Sequence, residues 1–179
     1  DREEIDKWLL SKYNKLVESV TAAYDVFDLN QAVKLITTFV SDDLSNWYIR
    51  RNRDRFWSSK LDDSKKSVYM TTYEVLTGVC RLAAPIIPYT TEEIYKNLTG
   101  EESVHLADFP TVDKKAINKA IEVKMSKLIN TMKTQAQTNA NKMVMLYISN
   151  FDRFASNSLY GISSLYEQME ITKRKDINI

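Results

Sequence analysis

Three glycines and three prolines are all that punctuate 179 residues, where average usage would give the two together roughly 12% of positions. Tight turns draw on Gly and helix stops on Pro. A chain so poor in both has few turns, no Gly-rich loop, and long helices as its natural elements. Its length suits one domain, or one domain with a small appendix, and is short for a two-substrate enzyme with a lid. The 44% hydrophobic and 27% charged fractions sit near the globular average and argue against disorder, collagen-like repeats and a membrane protein. No apolar run approaches the ~20 residues that span a bilayer. The opening DREEIDKW lacks the basic start and apolar stretch of a secretory signal, so a cytoplasmic address is expected.

Hydrophobic periodicity places the helices. Asp1 and Glu4 stand in capping-box spacing ahead of Ile5, Trp8, Leu9, Leu16, Val17, Val20, Tyr24 and Phe27, which recur at helical intervals. After a turn at 28–30, the period resumes with Ala32, Val33, Ile36, Phe39, Val40, Leu44, Trp47 and Tyr48 and predicts one long helix to about Ser58. Asp62, Asp63 or Ser64 can cap a third helix that Pro85 stops. Thr90 and Glu93 form a capping box for a short fourth helix ending near Gly100. Four amphipathic helices can bury their stripes only against one another, so the fold expected is mainly α, a helical bundle over 1–110.

From 111 to 179 the character changes. A lysine-rich helix is expected from Asp113 to about Thr138, a strand over MVMLYIS at 143–149, a helix interrupted or begun near Gly161, and a second strand over MEITKRKDINI. This part reads as a basic helix plus a small α+β appendix.

The residue inventory excludes most chemistry. Cys80 is the single cysteine and His105 the single histidine, so neither an intrachain disulfide nor a CxxC metal pair can form, and His105 has no second histidine or cysteine nearby in the sequence to complete a metal site or catalytic pair. Both read as structural residues. No catalytic, cofactor-binding or metal-ligating residue is expected.

Charge is segregated although the net is only +1. Residues 1–45 carry −4, 46–60 carry +4, 61–110 carry −4 and 111–179 carry +5, an asymmetry suited to holding a polyanion on one face. The densest stretch is SNWYIRRNRDRFW at 45–57. At 100° per residue Arg50, Arg53 and Trp57 share one face of the cylinder, and Trp47, Arg51 and Arg55 the next. Guanidinium forks bind phosphate bidentately, and flat rings accept unstacked bases. The candidate RNA-binding residues are Asn46, Trp47, Arg50, Arg51, Arg53, Arg55 and Trp57, with Lys124 and Lys127 of the lysine-rich helix as further cations. A second reading stands beside this one: both tryptophans as core anchors, and the arginines as a helix-end cluster favouring the dipole.

SNWYIRRNRDRFW, preceded by FVSDDL and followed by VLTGVCRLAAPIIPYTTEEIY and SVHLADFP, resembles the anticodon-binding region of isoleucyl-tRNA synthetases. DKWLLSKYN resembles that region's first helix. The likeness is strongest over 1–110 and weaker through Ser149. Valyl, leucyl and methionyl synthetases share the bundle plan, but DDLSNWYIRR is most similar to the isoleucine branch. The resemblance implies the anticodon-binding type of bundle found in class I synthetases, monomeric and partnered by isoleucine tRNA and by catalytic and editing domains of the same parent chain. It also implies a parent that charges isoleucine with ATP and edits misacylated valine, with ATP held in the catalytic domain. The family's HIGH signature is absent here. KMSKL at 124–128 is close to its KMSKS loop, but falls mid-helix between the core-facing Ile121 and Ile129, and reads as coincidence. The cysteine-rich zinc tail of many bacterial members is missing. A protein-interaction bundle, with its tryptophans packed and its arginines paired to carboxylates, is the competing function.

Overall fold

A computed structural model describes residues 2–176, with side chains described through residue 150 and at Arg153. The capping role expected of Asp1 lies outside the described residues. Helix α1 (Glu4–Asp25) opens instead on Glu3, whose backbone N–H donates to the Asp6 carboxylate at 3.1 Å. Helix α2 (Leu29–Thr38) is capped by Asp28, whose carboxylate accepts from the Gln31 N–H at 2.9 Å.

The long second helix expected as far as Ser58 is divided. After α2 the chain runs as a π-helical segment (Phe39–Ile49) and turns at the buried Asn52. It then forms only the short α3 (Arg53–Trp57). The Asn52 side chain donates to the Tyr48 carbonyl at 2.8 Å. An Asn offering its own hydrogen bonds to the backbone competes with helix continuation, a local chemistry that apolar periodicity does not register.

Helix α4 (Asp63–Ala83) begins where Asp62 accepts from the Lys65 N–H at 2.7 Å and stops ahead of Pro85. Helix α5 (Pro88–Thr99) ends at Gly100, whose φ of +72° is the left-handed conformation that glycine tolerates. Its start differs from the Thr90–Glu93 box: Pro88 occupies the first turn, and Ile87 caps without a side chain. A proline there gives up only an N–H that had no helical partner. A single 3-10 turn, Val104–Leu106, follows, held by the Glu92 carboxylate, which accepts from Ser103 Oγ and the Val104 N–H, both at 2.9 Å.

The chain divides into two compact units, Asp1–Lys127 and Leu128–Ile179. In the first, α1 packs against α2, the π segment and α4. Trp8, Leu9, Val17 and Val20 of α1, Tyr48 of the π segment, and Val68, Val75 and Leu82 of α4 are almost wholly removed from solvent. Each such leucine or valine contributes about 1.5–3 kcal/mol by burial. Helices α1 and α4 approach so closely that a Cβ on Gly78 would lie 1.9 Å from the Tyr13 hydroxyl. Cys80 is buried with Ala84, Tyr95 and Val104, the structural place expected of it. His105 lies exposed at the 3-10 turn.

Helix α6 (Lys119–Asp176) begins in the first unit, later than the Asp113 start expected. The Asn118 N–H donates to Ser11 Oγ at 2.7 Å, and Glu122 accepts from both Ser11 and Lys15. Within the second unit the α+β appendix is not formed among the described residues. Residues 143–149 are helical, the helix passes through Gly161, and it continues to Asp176; only 177–179 of the second expected strand lie outside the described residues. A strand needs a partner for its backbone groups, and a two-stranded pair is marginal even when it forms, whereas a helix satisfies its own backbone. No described helix is long and apolar enough to cross a membrane.

Candidate nucleic-acid interface

The π segment determines how the Arg/aromatic stretch is displayed. Its i→i+5 bonding, seen where the Arg50 N–H meets the Ser45 carbonyl, widens the turn and keeps residues four apart on one face. Asn46 and Arg50 therefore stay together, and so do Trp47 and Arg51. π-helical structure is rare and occurs mostly as single-turn bulges, frequently at functional sites.

Between the π segment, α3 and α4 lies an open groove of about 490 Å³. It is lined by Ser45, Asn46, Ile49, Arg50, Arg53, Phe56, Trp57, Tyr69 and Thr72. Four of the sequence-derived candidates, Asn46, Arg50, Arg53 and Trp57, meet there. No described carboxylate pairs with Arg50 or Arg53; the Asp54–Arg50 pairing that their spacing allows is not made. Trp57 is 77% exposed, with the Arg53 guanidinium 5.2 Å from its ring centre. Across the groove Tyr69 packs edge-on against Phe56, centroids 5.2 Å apart, and donates its hydroxyl to the Phe56 carbonyl at 3.3 Å. Guanidinium forks pair with phosphates and flat rings stack on unstacked bases as general chemistry, and the groove brings both kinds of group together.

Trp47 is half-buried, its indole N–H enclosed without a hydrogen-bond partner, and the Arg51 guanidinium lies 4.8 Å over its ring. Neither residue lines the groove.

Arg55 is the correction. Its side chain is 14% exposed, and all five of its N–H donors are used inside the protein. Nε donates to Ser64 Oγ at 2.8 Å; Nη1 donates to Asp6 and Asn52, and Nη2 to Asp6 and the Ser64 carbonyl, each at 2.9 Å. Asp6 also accepts from the Tyr48 and Ser67 hydroxyls, each at 2.7 Å. Burial pushes the Asp6 carboxyl up, but the hydrogen bonds from Arg55, Tyr48 and Ser67 outweigh it and hold the group below its ordinary value. The same desolvation, followed by the bond to Asp6, drives the Tyr48 phenol well above its usual range. Arg55 therefore has no donor to offer a phosphate. Helical spacing put it on a shared face with Trp47 and Arg51, but the turn at Asn52 rotates α3 and carries it inward.

Lys124 is exposed and pairs with Glu4 at 2.6 Å, an exposed pair of small energetic worth. Lys127 is exposed too, and neither lysine lines the groove. The KMSKL string lies in the opening turns of α6 with Met125 buried, a core-forming helix rather than a loop.

Tyr69 is the groove residue that the sequence reading missed. Its signal was present: Val68, Val75 and Leu82 carry the buried stripe of α4, which leaves Tyr69, Met70 and Tyr73 outside it.

Residues 6–148 match the family described as the anticodon-binding domain of tRNA ligase. The chain is 44% identical over 135 residues to the isoleucine–tRNA ligase of Clostridium tetani, covering 72% of this chain and 13% of that protein. It is 43% identical over 131 residues to that of Bacteroides fragilis, covering 70% and 12%. With the isoleucine–tRNA ligase of Chlamydia caviae it shares 44% identity over 126 residues, covering 69% and 12%. The chain thus spans about an eighth of the length of these curated relatives.

Proposed function

Because this chain belongs to the family of tRNA-ligase anticodon-binding domains, we propose that it is the module with which an isoleucine–tRNA ligase holds the anticodon stem and loop of isoleucine tRNA. The supporting observation is the groove, where Arg50 and Arg53, without described carboxylate partners, stand beside the open rings of Trp57 and Tyr69. Phosphate contacts from the two guanidiniums supply affinity and orientation, and splayed loop bases seated on the rings supply discrimination. Asn46 offers an amide to a base edge. Arg51, Lys124 and Lys127 add cationic surface outside the groove.

In the parent enzyme, the catalytic domain joins isoleucine to its tRNA at the expense of ATP, and an editing domain removes misacylated valine. Both are partners in the same cytoplasmic chain. This module supplies no catalytic group and takes no cofactor, so by itself it is expected to support no ATP–pyrophosphate exchange.

Filter binding of isoleucine tRNA against valine, leucine and methionine tRNAs, at low and moderate salt, tests the reading. Preference for isoleucine tRNA with a steep loss of affinity in salt is expected. Equal, salt-insensitive binding of all four would favour the protein-interaction bundle, and preference for another tRNA would assign a different synthetase.

A further inference from the structure

The groove is built from three separate stretches of chain, and one buried carboxylate is bonded to all three. Asp6 is wholly buried. It accepts from Tyr48 in the π segment, from Arg55 in α3 and from Ser67 in α4. None of these residues lines the groove, yet each adjoins residues that do: Tyr48 precedes Ile49 and Arg50, Arg55 lies between Arg53 and Trp57, and Ser67 stands two residues before Tyr69.

Helix α3 depends most on this arrangement. It has five residues, none of them buried. A helix that short does not persist by propensity, and with no side chain in the core it has little apolar burial to hold it. Its anchorage is the set of five donated bonds of Arg55, helped by the contact of Phe56 with Tyr69. A buried polar network with every member satisfied fixes geometry more sharply than apolar contact, which tolerates sliding.

We infer that Asp6 and Arg55 are positioning residues for the RNA groove: they hold α3 so that Arg53 and Trp57 face Arg50 and Tyr69 at the spacing a single-stranded RNA segment requires. The inference rests on the RNA-binding reading of the groove. Arg55 acts through its directed donors, not through its charge on the ligand.

The test is Arg55→Lys in the full 179-residue chain, which keeps the charge and removes the planar fork. The probe is a hairpin RNA carrying the anticodon stem and loop of isoleucine tRNA. Tenfold or greater loss of affinity is expected, with an unchanged salt slope, because the count of phosphate contacts is unaltered. The Trp57 indole resonance, assigned by its loss in Trp57→Phe, should move in the RNA-free protein. Val20→Ala, which weakens the core away from the network, should leave both readouts in place. Affinity within twofold of the parent chain, an unmoved indole signal, or equal losses in Val20→Ala would each overturn the inference. If Arg55→Lys does not fold, Ser67→Ala removes one arm of the network without touching charge. It should cost about threefold in affinity and shift the same resonance, and no change in either would also overturn the inference. If the unaltered chain binds no hairpin, the RNA-binding reading fails, while the indole signal still decides whether the network places Trp57.

Discussion

Trp8 and Trp57 are the same side chain in opposite circumstances, one 2% exposed in α1 and the other 77% exposed on α3. Their substitution by alanine should separate stability from recognition. Trp8→Ala removes a core ring and is expected to cost about 3–5 kcal/mol in denaturant unfolding. Trp57→Ala should leave unfolding almost untouched and weaken RNA binding by about 1–3 kcal/mol, the worth of one stacked base. A Trp57→Ala chain of unchanged affinity would remove that ring from the site. Residue identity alone did not assign these two roles. Trp8 sits on an uninterrupted apolar stripe, so its burial could be read from spacing. Trp57 follows the turn at Asn52, beyond which the spacing no longer reports direction. Arg55 shows the same break, since three candidate arginines within five residues, Arg51, Arg53 and Arg55, differ in fate because one of them reaches Asp6.

Among the elements, the start of α4 and the end of α5 are where the sequence signal and the structure coincide. Asp62 marks the start of α4 through its bond to the Lys65 N–H at 2.7 Å, and Gly100 marks the end of α5. Asp62→Ala should lower the stability of the chain by about 1 kcal/mol, read as a shift in urea midpoint at constant slope; no shift would mean that the first turn of α4 is held by packing alone. Apolar spacing over a short run is similar in α- and π-helix, so it predicts an ordinary α-helix where the π segment forms. MVMLYIS predicts a strand because its apolar residues are continuous and partly β-branched or aromatic, properties that a helix also accommodates. β-preference is largely a preference for a half-buried pleated surface beside a partner, and among the described residues there is no neighbouring strand. Helix is the state in which those seven residues satisfy their own backbone.

For the whole molecule, the buried Asp6–Arg55 network ties stability to pH. The folded carboxyl of Asp6 lies below its ordinary value of 3.8. Its contribution is therefore complete above that value and is lost as pH falls through the folded one, because protonation then favours the unfolded chain. Asp6→Asn should be markedly less stable than the parent chain at neutral pH, by about 3–5 kcal/mol for an arginine left without its partner. The gap should narrow once the pH is well below 3.8. A gap that stayed constant across that range would mean that the carboxylate's charge contributes nothing. The amino-acid sequence by itself determined that this chain is helical, that its apolar stripes must close on one another, and that cations and rings crowd together around residue fifty. Those properties follow from composition and from spacing along a single helix, where neighbours in space are neighbours in sequence. Only the tertiary structure decided which arginine turns inward, that Tyr69 joins the groove, and that one carboxylate in α1 is bonded to all three of its walls. Asp6 and Arg55 are 49 residues apart, and no period along the chain carries information across that distance; the tertiary fold alone brings the half-buried Arg55 fork against the buried carboxylate.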